Sequence, residues 1–331
     1  MRRNTKTNFK LLTSTQYIND LTDSVTKAKS RVAIMCLTLT DDPSTHKLVL
    51  ALKAAAKRGV DVNIAVDVFT YNEFGGYFSP FKRFARDSRN ATTMANQLKR
   101  AGVTFTWLGR RHKINPFRGL THIKWSIVDT TTYSFGGVNL YKEGIDSTDF
   151  MLRSPDPLLA EQLYEQHLAV VSSHHLQYPG FMAKTPYGTI YVDSGRPRDS
   201  IIYNRILELA ATAKHSVVVT QYCPTGELAA LLKLGDSDIY FNQPKNTYPA
   251  TRLLIWFAQV RTGLRTLYRH KKYVHAKFII FTMPSGEKIA ITGSHNFAHS
   301  GVLFGTREVA LETTEPSIVK QIEKFLETHV K

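Results

Sequence analysis

The sequence predicts an α/β protein of two pseudo-symmetric halves, each a mixed β-sheet flanked by helices. Two observations carry this. A short pattern occurs twice, as His122-Ile-Lys124, Asp129, Gly136-Gly137-Val-Asn139 and Asp149, then as His275-Ala-Lys277, Gly293-Ser294-His-Asn296 and Glu308. The segments leading to each copy run helix, strand, helix, strand, the order of an α/β layer architecture.

In chain order, residues 18–39 join a polar–apolar helical pattern to the run Val32-Ala-Ile-Met-Cys-Leu. Residues 206–222 repeat it, ending in Val217-Val-Val-Thr-Gln-Tyr. Residues 48–66 read as an amphipathic helix closing at Lys57-Arg-Gly59 and feeding a strand from Val60; residues 227–241 match, through Lys233-Leu-Gly235. Glycine just past a helix end is the expected C-cap. Each half then reaches its His-x-Lys strand and a second strand ending at Gly-Gly or Gly-Ser. Pro284-Ser-Gly-Glu is the hairpin turn of the second half. Leu- and Glu-rich helices at 157–171 and 316–330 close the halves. The Pro- and Gly-rich residues 178–199 read as the connection, dividing the chain at 1–180 and 181–331. The aromatic and basic residues 69–90 have no counterpart in the second half. They read as a loop over the site mouth, a disordered excursion being the alternative.

The composition is ordinary for a globular chain, 43% hydrophobic and 21% charged, and excludes wholesale disorder. The net charge of +16 is not ordinary and predicts an anionic partner, nucleic acid or an anionic membrane surface. Cys36 and Cys223 are expected to be structural thiols of a reducing compartment, a disulfide being the alternative. No run approaches the ~20 apolar residues that span a bilayer. The longest, 32–39 and 253–260, are strand or core-helix sized. The basic start, Met1-Arg-Arg, lacks the apolar core of a secretory signal and reads as a solvated tail. A cytoplasmic, soluble or peripherally membrane-bound protein is expected.

A His and a Lys two apart in a strand point to one face. Two copies brought together therefore form a site of two imidazoles and two ammonium groups, suited to holding and attacking a phosphodiester. These residues resemble the phospholipase D superfamily, whose signature is HxKxxxxD followed by GG or GS and Asn. The first copy matches in full. The second has Thr282 in place of the Asp and extra residues before Gly293.

Lys124 and Lys277, compact point charges, are expected to bind the non-bridging phosphate oxygens. Asn139 and Asn296 would add amide donors to them. One histidine attacks phosphorus to leave a phosphohistidine. The other, protonated, gives its proton to the leaving oxygen and then activates the acceptor. By the resemblance His122 attacks and His275 is the acid/base; the reverse is chemically equivalent. Asp149 and Glu308 are the natural orienting acceptors for the two imidazoles, with strand-end surface acids as the alternative. Asp129 reads as a structural turn residue, and Thr282 can serve the same end through its hydroxyl. His295 and His299 line the pocket or simply pack. His174 and His175 read as helix-end or surface residues. The mechanism needs no cofactor and no metal.

The superfamily includes phospholipases, phosphatidyltransferases and nucleases, so fold does not choose the substrate. Gly136-Gly137-Val-Asn139-Leu, Thr148-Asp149-Phe150 and the run from Lys57 resemble bacterial cardiolipin synthases, which implies a phospholipid substrate. Phe69, Tyr71, Phe74, Tyr77, Phe78 and Phe81 would then anchor in the membrane interface, with Lys82 and Arg83 at head-group level. The alternative is a metal-independent nuclease using the same aromatics to stack bases. It would take Arg110-Arg-His-Lys113 and Arg269-His-Lys-Lys272 as backbone contacts. One chain supplies both motifs, so a monomer suffices and no obligate protein partner is expected.

Overall fold

The computed structural model describes residues 9–68, 86–109, 119–173, 177–247 and 249–331. The first half holds strands β1 (Lys10–Thr13), β2 (Arg31–Cys36), β3 (Asp61–Asp67), β4 (Thr104–Leu108), β5 (Trp125–Val128), β6 (Thr131–Ser134) and β7 (Phe150–Ser154). Its helices are α1 (Ser14–Lys27), α2 (His46–Lys57), α3 (Arg86–Arg100), α4 (Lys142–Asp146) and α5 (Pro157–Ser172). The second half holds β8 (Phe181–Thr185), β9 (Gly188–Val192), β10 (His215–Val219), β11 (Ser237–Tyr240), β12 (Phe278–Thr282), β13 (Lys288–Gly293) and β14 (Val309–Thr313). With them come α6 (Ile201–Thr212), α7 (Glu227–Leu234), α8 (Pro249–Thr262), α9 (His299–Phe304) and α10 (Pro316–His329).

The strands form two mixed sheets, ordered β1-β7-β6-β5-β2-β3-β4 and β11-β10-β12-β13-β14-β9-β8. In each, a helix crossover joins two parallel strands (β2 and β3, β10 and β11), and the motif strand pairs antiparallel beside them. Period-two alternation sorts side chains into layers. Ala33 and Met35 of β2 face a core shared with Phe278 and Ile280 of β12, while Val32, Ile34 and Cys36 face α1 and α2. Ile279 and Phe281 likewise face α6 and α7. Leu159 and Leu163 of α5 and Ile318, Ile322 and Phe325 of α10 fill the shared core. Covering both faces explains the unbroken apolar runs from which the strands were read.

Two expectations are corrected. Residues 178–199 are not a mere connection: they contain the antiparallel pair β8–β9, and β9 extends the second sheet against β14. The run 253–260 is not a core helix, because Leu253, Leu254, Trp256, Phe257 and Val260 of α8 are exposed. Residues 69–85 and 110–118, with His174 and His175, lie outside the described residues, so the aromatic loop anchors and the Arg110–Lys113 contacts have no structural account. Cys36 and Cys223 are free and buried in separate cores. Among the described residues no helix is long and apolar enough to cross a membrane.

Asp129 does the structural work expected of it. Its carboxylate accepts from the main-chain N–H groups of Lys29 (3.0 Å), Ser30 (2.8 Å) and Arg31 (3.1 Å) and from the Ser30 hydroxyl (2.7 Å). Partial burial opposes ionisation, yet these bonds hold its carboxyl below the usual range. At the second half's equivalent turn, the Lys214 N–H donates to the Thr282 main-chain carbonyl (2.8 Å), so backbone replaces the carboxylate. Asp129→Ala should therefore cost about 1–2 kcal/mol in a denaturant melt and leave the specific activity of folded protein intact. Loss of activity without loss of stability would give Asp129 a place in the chemistry instead.

Candidate functional site

Each His-x-Lys segment lies in an extended stretch just ahead of its strand, β5 or β12, rather than within it. What fixes these stretches is backbone pairing between the halves. Thr121 bridges to Arg307 and Val274 bridges to Thr148, so in both cases the residue before a histidine pairs with the residue before the other half's acid. The His122 N–H donates to the Arg307 carbonyl (2.8 Å), and the His275 N–H to the Thr148 carbonyl (3.0 Å). The histidines therefore take their acids crosswise. His122 Nδ1 lies 3.0 and 2.9 Å from the Glu308 carboxylate oxygens, and His275 Nδ1 lies 2.7 Å from Asp149 Oδ2.

A carboxylate can only accept, so each Nδ1 carries the proton and each Nε2 keeps its lone pair. The acids are held in turn. Asp149 Oδ1 accepts from the N–H groups of Gly137 (3.2 Å) and Phe150 (2.8 Å). Glu308 accepts from the Ser294 hydroxyl, which itself accepts from the Val309 N–H (3.0 Å). The difference between Gly137 and Ser294 follows from this. A Cβ at Gly137 would stand 2.5 Å from Asp149 Oδ2 and 2.8 Å from the His275 carbonyl, whereas the longer Glu308 leaves room for a hydroxyl that bonds it. Gly136 and Gly293 admit no Cβ either, each meeting a β7 or β14 carbonyl at 1.8 or 2.1 Å.

Lys124 Nζ donates to the His122 carbonyl (2.8 Å), and Lys277 Nζ to the His275 carbonyl, so each lysine is pinned over its own histidine. Both are 1% exposed, far below what a solvated surface charge would show. Asn139 and Asn296 sit two residues beyond Gly137 and Ser294. Their buried Oδ1 atoms have no hydrogen-bond partner among the described residues. The structure thus gathers both histidines, both lysines and both acids into one mutually interacting cluster. The capacity left unfilled on the two amides is that of an acceptor, Oδ1; a donation to an anion would come from their Nδ2.

The electrostatics suit an anion. Burial, then Lys124 and Lys277, holds the His122 imidazole well below its ordinary range. Burial and Lys277 bring His275 down to about 3 despite Asp149. Burial brings Lys277 down to about 7 and pushes Glu308 up. His122, His275 and Lys277 are thus short of protons, and an anion bound beside them would restore them.

Two positioning residues escape a motif search. Asp67, at the end of β3, accepts the Thr121 N–H (2.7 Å), and Asn242, just past β11, accepts the Val274 N–H (2.9 Å). They are pseudo-symmetric partners, each tying down the residue before a histidine. The only signal for Asp67 in the sequence is a carboxylate closing the run Val62-Asn-Ile-Ala-Val66. Of the weaker histidines, His295 is packed: its Nδ1 accepts the Phe297 N–H (2.9 Å) and its ring tilts over Tyr203 at 5.8 Å. His299 is half-buried beside the same tyrosine, also at 5.8 Å.

Residues 21–168 match the family model described as "Cardiolipin synthase, PLD-like domain". Among solved structures the chain is similar to phosphatidylserine synthase from Haemophilus influenzae Rd KW20. The two are 13% identical over 98% of this chain and 87% of that one, with a TM-score of 0.73. It is also similar to polyphosphate kinase from Porphyromonas gingivalis, 13% identical over 97% of this chain with a TM-score of 0.64. There it spans 50% of the other chain. At these identities the likeness is one of fold. No curated protein matches the chain in sequence.

Proposed function

We propose that the chain is a member of the phospholipase D superfamily, a reading supported by the match of residues 21–168, and that it is a phospholipid-acting phosphatidyltransferase or phospholipase D, cardiolipin synthase-like, working through a phosphohistidine. The observation that carries the chemistry is the crossed pair of histidine–acid contacts with a buried lysine over each. The description of the matching model favours a lipid over a nucleic acid.

In this mechanism Lys124, Lys277 and the amides of Asn139 and Asn296 receive the two non-bridging oxygens of the diester. Nε2 of His122 attacks phosphorus, forming the N–P bond as the P–O bond to the leaving alcohol breaks. His275, protonated once the anion is bound, gives its Nε2 proton to that alcohol. It then takes the proton of the incoming alcohol or water, whose oxygen attacks phosphorus and expels His122. Glu308 and Asp149 keep each ring oriented and balance the imidazolium charge as it forms. Asp67 and Asn242 hold the two backbones at the spacing this needs.

The low proton affinities of these groups give a signed prediction. An anion beside His122, His275 and Lys277 raises their affinities, so dimethyl phosphate, a diester that does not itself titrate near neutrality, should bind with net proton uptake near pH 7. Calorimetry in buffers of different ionisation enthalpy measures it. Uptake of about one proton is expected, and zero uptake or release would contradict the proposed electrostatics.

Substrate class is tested by incubating the protein with phosphatidylglycerol vesicles, single-stranded DNA and single-stranded RNA, all without divalent metal, beside His122→Ala/His275→Ala. Lipid turnover lost in the double variant, with nucleic acid intact, is the expected result. Cleaved nucleic acid with untouched lipid would keep every residue role and replace the substrate.

A further inference from the structure

The helix α8 carries its apolar face outward. Leu253, Trp256, Phe257 and Val260 follow i, i+3, i+4, i+7 spacing, the stripe that normally faces a core, yet they are 55%, 50%, 56% and 66% exposed. Leu254 (63%) widens the stripe, and Leu267 (44%) adds to the apolar surface of the segment that follows. The helix is held from its other side, where Ile255 is 1% exposed within the second half's outer core. Contiguous apolar surface of this kind marks an interaction site.

The charges around it select the partner. Arg252, Arg261, Arg265, Arg269, Lys271 and Lys272 are all exposed, and residues 239–286 contain no Asp or Glu. An apolar stripe with Trp, Phe and Leu, edged by basic side chains, is the composition of a helix lying in the plane of an anionic lipid interface. A second copy of the chain fits poorly, because a two-fold contact on this face would bring two such basic sets together. A nucleic acid could use the arginines and aromatics but not the aliphatic Leu253, Leu254 and Val260.

Chain order links this face to the site. After α8, the Leu267 N–H donates to the Ile239 carbonyl of β11 (2.8 Å) and Gln243 Nε2 to the Tyr268 carbonyl (2.8 Å). The strapped segment then runs directly into Tyr273-Val274-His275.

We propose that α8 docks this protein on an anionic phospholipid surface, its apolar stripe entering the interface and its flanking arginines meeting the head groups. The proposal rests on the phospholipid reading above. The test is sedimentation of the full-length protein with phosphatidylglycerol/phosphatidylcholine vesicles and with pure phosphatidylcholine vesicles. The variants are Leu253→Ser/Trp256→Ser/Phe257→Ser, whose side chains are exposed, and Arg252→Gln/Arg261→Gln. The triple variant should bind anionic vesicles about a hundredfold more weakly, with an unchanged melt and unchanged kcat/KM on monomeric short-chain phosphatidylglycerol. Each arginine removed should weaken anionic binding roughly fivefold and reduce its salt dependence. Vesicle binding by the triple variant equal to wild type would overturn the proposal. So would a wild-type dimer that the triple variant dissolves, or loss of RNA binding in place of vesicle binding. Vesicle binding that needs the stripe, with no phospholipid turned over in any form, would sustain docking and defeat the enzymatic reading alone.

Discussion

His122→Ala and His275→Ala should each lower kcat by at least about 10⁴-fold, roughly 5 kcal/mol of transition-state stabilisation, while the protein stays folded. Each imidazole has a separate step that no neighbour can take over. Without the nucleophile no N–P bond forms. Without the partner the leaving alcohol departs as an unprotonated alkoxide and the acceptor keeps its proton. Because they act as a unit, the double variant should be no slower than the slower single one. Folding survives because the bridges at Thr121–Arg307 and Val274–Thr148 are made by main chain, and Asp149 and Glu308 keep other donors. A stability loss of about 1–3 kcal/mol is expected, from removing one buried hydrogen bond. Near-normal turnover by either variant on a verified substrate would end the mechanism.

The second large effect belongs to the acids. Glu308→Gln and Asp149→Asn replace a pure acceptor with an amide that can also donate, permitting the tautomer whose Nε2 carries the proton and cannot attack or accept. A loss of about 10²–10⁴-fold in kcat is expected for each. The crossing makes the effect specific. In ¹⁵N-histidine spectra, Glu308→Gln should move the His122 ring resonances and Asp149→Asn those of His275, each leaving the other histidine near its original position. Same-half assignments would reverse that pattern and contradict the contacts of 2.9 and 2.7 Å.

The sequence made the chemistry legible because its signals are local. Both His-x-Lys pairs, both small-residue turns, both asparagines and both acids stand in short motifs, and the duplicated helix–strand order brought the α/β architecture with it. The crossing was not legible. It depends on which segment of one half Thr121 and Val274 meet in the other, and no local spacing encodes that. Asp67 and Asn242 were missed for a similar reason, since each acts on a residue far along the chain. The length and apolarity of 253–260 suit a strand or a core helix but cannot say whether the apolar residues turn inward. The glycines and prolines of 178–199 read as linker punctuation, whereas Gly188 (φ 148°) opens β9, where a Cβ would stand 2.0 Å from the Glu312 carbonyl.

The central claim is a covalent phosphohistidine on the way from donor to acceptor, and stereochemistry at phosphorus tests it most directly. Each in-line displacement inverts the phosphorus centre, so attack by His122 followed by attack of the acceptor must restore it. Transfer from a P-chiral phosphorothioate analogue of phosphatidylglycerol to ethanol, followed by ³¹P NMR, reads the outcome. Net retention is the result predicted; net inversion would mean the acceptor attacks directly, with neither histidine ever bonded to phosphorus.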